Sequence, residues 1–197
     1  MNLYTFGKAL VKTALTPLYR FEILGTEKFP EEGGILICSN HIHALDPPVV
    51  GMTSPRVVHF MAKEELFKVP VLGKILPQVN AFPVKRGMSD REALRNALKI
   101  LKNGDVVGLF PEGTRSDDGV LKPGLGGAGF FALRGNADVM PCAIIGPYKP
   151  FRKVKVVYGE PVLMEEYRER KASAEEVTAV IMASIQKLLD ENTNNKG

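Results

Sequence analysis

The 197-residue sequence contains no apolar run of the roughly 18–20 residues needed to span a bilayer, because charged residues and prolines interrupt every candidate stretch. It shows no secretory signal with its small-residue cleavage site, no internal repeat and no long linker. The expectation is a protein that does not cross a membrane, although it can lie on one. Cysteine is scarce: Cys38 and Cys142 both lie inside apolar runs. They are expected to be reduced core residues, which fits a cytosolic protein better than a disulfide-stapled one. No zinc-finger motif, RNA-binding motif or dense basic run is present, so nucleic acid is not an expected partner. No Cys/His cluster offers a metal site.

What is there suits a globular fold. Hydrophobic residues make up 45% and charged residues 24% of the chain, which argues against global disorder. The length suits one well-buried α/β domain and is short for two. A net charge of +4 fits an anionic partner such as a phospholipid surface or a phosphorylated ligand.

Residues 1–19 place Leu3, Phe6, Leu10, Ala14 and Leu18 at helical spacing, with Val11 and Leu15 beside them and Lys8 and Lys12 on the other side. This reads either as a helix capping the core or as an amphipathic helix on a membrane surface, and the basic balance favours the second. Residues 20–191 form the domain proper, and 192–197 are expected to be a disordered tail. Strands are predicted at Arg20–Gly25, Gly34–Cys38, Arg56–Met61, Gln78–Val84, Asp105–Phe110, Val139–Ile145 and Arg152–Tyr158. Helices fall between them, with Ser89 and Glu92 as a capping box before 90–102, and Ser173 and Glu176 before the last helix. Strands alternating with helices predict a single α/β domain with a mixed, largely parallel sheet covered by helices.

The chemistry is expected at strand ends. The run Gly34–Cys38 delivers Asn40 and His41 to a loop, and Asp46-Pro47 follows at the start of a helix. On a regular helix residues five apart point about 140° away from each other, so a meeting of His41 and Asp46 needs an irregular segment between them. Asp46 also suits an N-cap with Pro47 at the first helical position. An ionised Asp46 on one ring nitrogen would leave the other free as a base. His43 is a competing base, and Cys38 as a cysteine–histidine nucleophile is a weaker alternative, since its apolar neighbours suggest burial. Lys85 and Arg86 end one strand, and Glu112-Gly113-Thr114-Arg115 ends another, where open α/β sheets hold their ligands. Gly113 allows a bend, and Arg115 offers a fork suited to phosphate. The run Gly124–Gly129 matches G-x-G-x-x-G, but it lacks a preceding strand and a following acidic residue, so it reads as a loop entering a helix.

In order and spacing, Asn40-His41-x4-Asp46, Phe82–Arg86, Phe110–Arg115 and Val139–Pro141 resemble the four-block pattern of glycerolipid acyltransferases. The similarity is greatest to the 1-acyl-sn-glycerol-3-phosphate acyltransferases and covers about residues 20–160. Asn80 stands where the family more often has glycine. The resemblance implies acyl transfer from acyl-CoA or acyl carrier protein to the sn-2 hydroxyl of lysophosphatidic acid. His41 would be the base and Asp46 its orienting partner. Gly113 or Lys63 would support the oxyanion, and Lys85, Arg86, Glu112, Thr114 and Arg115 would bind phosphate or glycerol. It implies no cofactor beyond the acyl cosubstrate, and a peripheral position on the cytoplasmic membrane face. The N-terminal helix and Leu66–Leu72 would form the docking surface on anionic lipid. Another acceptor, or a non-catalytic lipid-binding protein of the same fold, is the alternative.

Overall fold

Seven strands, four to nine residues long and rich in apolar and β-branched residues, build one sheet. The computed structural model describes residues 3–85, 90–116 and 118–193. Its elements are α1 (Leu3–Leu15), β1 (Arg20–Leu24), β2 (Gly34–Ser39), α2 (Asp46–Thr53), β3 (Val58–Lys63), α3 (Glu64–Phe67), α4 (Leu72–Ile75), β4 (Ala81–Val84), α5 (Arg91–Lys102), β5 (Val106–Leu109), α6 (Gly127–Arg134), β6 (Ala137–Ile145), β7 (Lys153–Tyr158), α7 (Glu165–Glu169) and α8 (Ala174–Thr193).

The strand order is β1-β7-β6-β2-β5-β3-β4. From β6 to β4 all neighbours run parallel. β7 is antiparallel to β6, and β1 runs parallel to β7. Five strands therefore end on one edge of the sheet. The loops carrying His41, Lys63, Lys85 and Glu112–Arg115 all leave from that edge.

β2 lies inside the sheet and is buried on both faces, as its unbroken apolar run requires. Alternate side chains feed two cores. Leu36 and Cys38 pack with Leu101, Phe131, Ile181 and Ile185 from α5, α6 and α8. Ile35 and Ile37 pack with Val49 and Val50 of α2 and with Tyr158, and Val11 and Leu15 of α1 close that side. Thus α1 turns Val11 and Leu15 toward the domain and anchors there through Lys8 Nζ, which donates to Ser54 O at 2.5 Å. Leu10 remains 59% exposed on the other face.

Local chemistry shifts several predicted boundaries. The strand predicted from Gln78 begins only at Ala81, because Leu76–Val79 forms a 3-10 turn. Asn80 closes that turn at φ 57°, a left-handed position that asparagine tolerates and glycine prefers. This accounts for the exchange noted at Asn80. The predicted cap Ser89 lies outside the described residues. Asp90 is the cap instead, accepting from Glu92 N at 3.2 Å and Ala93 N at 3.0 Å. α8 continues through Asn192 and Thr193, the first two residues of the predicted disordered tail, and Asn192 O accepts from Lys155 Nζ. Residues 194–197 lie outside the described residues. The glycine-rich run packs α6 on α8, where Gly129 N donates to Thr178 Oγ1 at 3.0 Å.

Candidate active site

β2 ends at Ser39, and the chain leaves the sheet at Asn40. Asn40 is pinned there by two bonds to one residue of β6: its Nδ2 donates to Ile144 O at 2.9 Å, and its Oδ1 accepts from Ile144 N at 2.7 Å. With the strand end fixed this way, the next residue leaves in a defined direction.

His41 and Asp46 meet. Nδ1 of His41 lies 2.8 Å from Asp46 Oδ2. The segment between them is the irregular turn that the spacing demanded: Ile42 N and His43 N both donate to the same Oδ2 at 2.7 Å. Asp46 is the first residue of α2 rather than its cap, a place taken by Leu45, and the prolines at 47 and 48 start the helix. Its carboxylate folds back over the preceding loop instead of capping the helix ahead. Oδ1 accepts from Tyr148 Oη at 2.8 Å. The amides of Ile42 and His43 and the Tyr148 hydroxyl all donate to this carboxylate; a neutral His41 with its proton on Nδ1 would complete that set of donors and leave the Nε2 lone pair facing outward. Nε2 has no hydrogen-bond partner among the described residues.

The loop after β5 clamps His41 from three further directions. His41 N donates to Glu112 Oε1 at 2.8 Å, Ser116 N donates to His41 O at 2.7 Å, and the ring stacks on Phe110 at 4.1 Å between centroids. β5 lies beside β2, which brings the two motifs together. Gly108 in β5 makes room for Phe60, whose ring would meet a Cβ there at 2.2 Å.

The remaining predicted residues divide into those that are committed and those that are open. Both oxygens of Glu112 are used by backbone amides, those of His41 and Lys122 (2.8 Å each), and Arg115 is not among its partners. Gly113, at φ 68°, gives its amide to Phe110 O at 3.0 Å. Lys63, Lys85, Thr114 and Arg115 are exposed. Lys63 ends β3, and Lys85 follows β4, where its backbone N–H donates to Asp90. Lys122 Nζ donates to Arg115 O at 2.8 Å and fixes the end of that loop. Arg86 lies outside the described residues.

The competing candidates take other roles. His43 accepts from Leu45 N through Nδ1 and stacks on Tyr148 at 4.5 Å. Cys38 is fully buried, and burial pushes its thiol well above the ordinary thiol range. Among the described residues no group of His, Cys, Asp and Glu could hold a metal ion. Sequence reading missed Tyr148, Lys122 and Ser116. The motif spacing around His41 could not reveal Tyr148, which arrives from 102 residues away.

Comparison with known proteins gives a matching picture. A family model described as Acyltransferase matches residues 20–145. A 1-acyl-sn-glycerol-3-phosphate acyltransferase of Bacillus subtilis is 30% identical, covering 96% of this chain and all of that one. One from Borreliella burgdorferi is 25% identical over 85% of this chain and 71% of its own length. The crystal structure of the 1-acyl-sn-glycerophosphate acyltransferase PlsC from Thermotoga maritima shares the fold. It superposes with a TM-score of 0.80 at 24% identity, covering 98% of this chain and 81% of that one. On a family match over residues 20–145, and a relative 30% identical that is covered along its whole length, the chain belongs to the acyltransferase family of enzymes, among the 1-acyl-sn-glycerol-3-phosphate acyltransferases.

Proposed function

We propose that the enzyme transfers a fatty acyl group from an acyl thioester, on coenzyme A or acyl carrier protein, to the sn-2 hydroxyl of lysophosphatidic acid, giving phosphatidic acid. The observation that carries this reading is the His41–Asp46 pair, with Nε2 unengaged, at a sheet edge lined by cations. The relatives from Bacillus subtilis and Borreliella burgdorferi are named for the same acceptor, which supports this reading.

His41 Nε2 takes the proton of the lipid hydroxyl as its oxygen attacks the thioester carbonyl. Asp46 holds the imidazole in the correct tautomer and stabilises the imidazolium that forms. The tetrahedral intermediate collapses with loss of the thiolate, which recovers the proton from His41. General-base help of this kind contributes about 10²- to 10⁴-fold in rate. Gly113 N–H is already bonded to Phe110 O, which favours Lys63 as the oxyanion donor. Lys85 and Arg115, with Arg86 next to Lys85 in sequence, bind the acceptor phosphate, and a fixed phosphate aligns the hydroxyl. The enzyme works at the cytoplasmic face of an anionic membrane.

An acyl-transfer assay with both donor types and a panel of acceptors tests this. Lysophosphatidic acid is expected to be the preferred acceptor, and His41→Ala to lower kcat by about 10²- to 10⁴-fold in a folded protein. Strong transfer to an acceptor without a phosphate monoester, or full activity in the variant, would overturn it.

A further inference from the structure

We propose that Tyr148 is a positioning residue for acyl transfer: its hydroxyl satisfies the outer oxygen of the buried Asp46 carboxylate and so keeps the inner oxygen on His41. The proposal rests on the histidine–aspartate reading above and extends it to a residue outside the four blocks.

The donors on Asp46 are unevenly shared. Oδ2 takes three of them, His41 Nδ1, Ile42 N and His43 N, while Oδ1 takes Tyr148 Oη at 2.8 Å. The Asp46 side chain is 0% exposed, so water does not stand in for a missing donor. A buried anionic oxygen without a partner is costly. The carboxylate would answer by rotating or by taking a proton, and either change breaks the alignment with Nδ1–H of His41.

Tyr148 is itself held for this task. It lies in the turn between β6 and β7, at the same sheet edge as the site. One face of its ring stacks on His43 at 4.5 Å and 23°, and Tyr19 meets it edge-on at 5.6 Å and 85°. This gives His43 a function: it fixes the tyrosine rather than acting as a base. Burial first, and the adjacent Asp46 charge second, push the phenol far above its ordinary range, so the hydroxyl remains a donor. Tyr19 sits between α1 and β1, so segments distant in sequence converge on the Tyr148 ring.

The test is a double-mutant cycle on the full-length enzyme, with lysophosphatidic acid and an acyl thioester. Tyr148→Phe is expected to lower kcat by about ten- to a hundredfold, with KM for both substrates unchanged. In the Asp46→Asn background the same substitution is expected to cost nothing further, because no charge remains to satisfy. Equal losses in both backgrounds, or unchanged kcat in Tyr148→Phe, would overturn the proposal. Should Tyr148→Phe fail to fold, recovery of a cooperative thermal transition in the Asp46→Asn/Tyr148→Phe double variant would support it, and failure of both would refute it. His41→Ala run alongside separates the two levels. Retained activity there sinks the base assignment, whereas a dead His41→Ala with a fully active Tyr148→Phe sinks only this inference.

Discussion

Glu112 shows at the scale of one residue how two loops become one site. Its carboxylate is buried and spans the gap between His41 N and Lys122 N. Glu112→Gln replaces one acceptor with an amide that faces a backbone N–H, leaving a buried donor unpaired at a cost of about 1–3 kcal/mol. We expect a lower Tm and a lower kcat, with KM for the phosphorylated acceptor unchanged. Arg115→Ala should do the reverse, raising that KM with little effect on Tm. A raised acceptor KM and an intact Tm in Glu112→Gln would make Glu112 a substrate ligand after all. The cysteines give a second check at this scale. Burial pushes the Cys142 thiol up to about 12, and Cys38 still higher. Because a raised thiol pKa means the reactive thiolate forms only near or above that value, neither cysteine should be alkylated by iodoacetamide at pH 8 until denaturant is added, and activity should persist throughout.

Among the elements, α5 depends on Asp90, which accepts from Lys85 N, Glu92 N and Ala93 N and so ties the end of β4 to the start of the helix. Those backbone donors hold its carboxyl below the usual carboxylate range. A depressed folded value means that the stabilisation is present above the unfolded value and is lost as pH falls through the folded one. Asp90→Ala should therefore lower Tm by a few degrees at pH 7, and the gap to wild type should close in strongly acidic buffer; a gap independent of pH would exclude the charge as its cause. What was legible in the sequence follows from similar local rules. The seven strands and the large helices read out because apolar period and caps are local, and Ser173 does bond Glu176 N. The boundary at Ala81 was hidden because Gln78 and Val79 adjoin an apolar run but belong to the 3-10 turn begun at Leu76, which only Asn80 closes. His41 and Asp46 were legible because they belong to one turn. Tyr148 and Lys122 were not, because strand order and loop packing, rather than local pattern, bring them in.

For the whole molecule, the sheet edge that carries the site also carries exposed apolar side chains on both flanks. Beyond β3 and beside β4 stand Leu66, Val69, Val71 and Ile75, with Val71 70% exposed and Lys68 and Lys74 among them. Beyond β1 and β7 stand Leu18 and Phe151, linked by Phe151 N donating to Leu18 O, with exposed Arg20, Lys149 and Arg152 nearby. No helix among the described residues is long and apolar enough to cross a membrane, so attachment through this edge would rest on shallow insertion of such side chains and on attraction of the cations to anionic lipid. We expect Val71→Glu and Phe151→Glu each to weaken flotation with phosphatidylglycerol vesicles by about tenfold, the scale of one apolar side chain's transfer from water, and the pair together to abolish it. Activity on an acceptor dispersed in detergent should change little, since neither residue is a hydrogen-bond or ring partner of His41 or Asp46. Leu163 supplies the control. It is 67% exposed, but it adjoins Val162, which pairs with Val139 near the start of β6 at the opposite edge of the sheet. Leu163→Glu should leave vesicle binding intact. If it weakened binding as much as Val71→Glu, the catalytic edge would not be the face that meets the membrane.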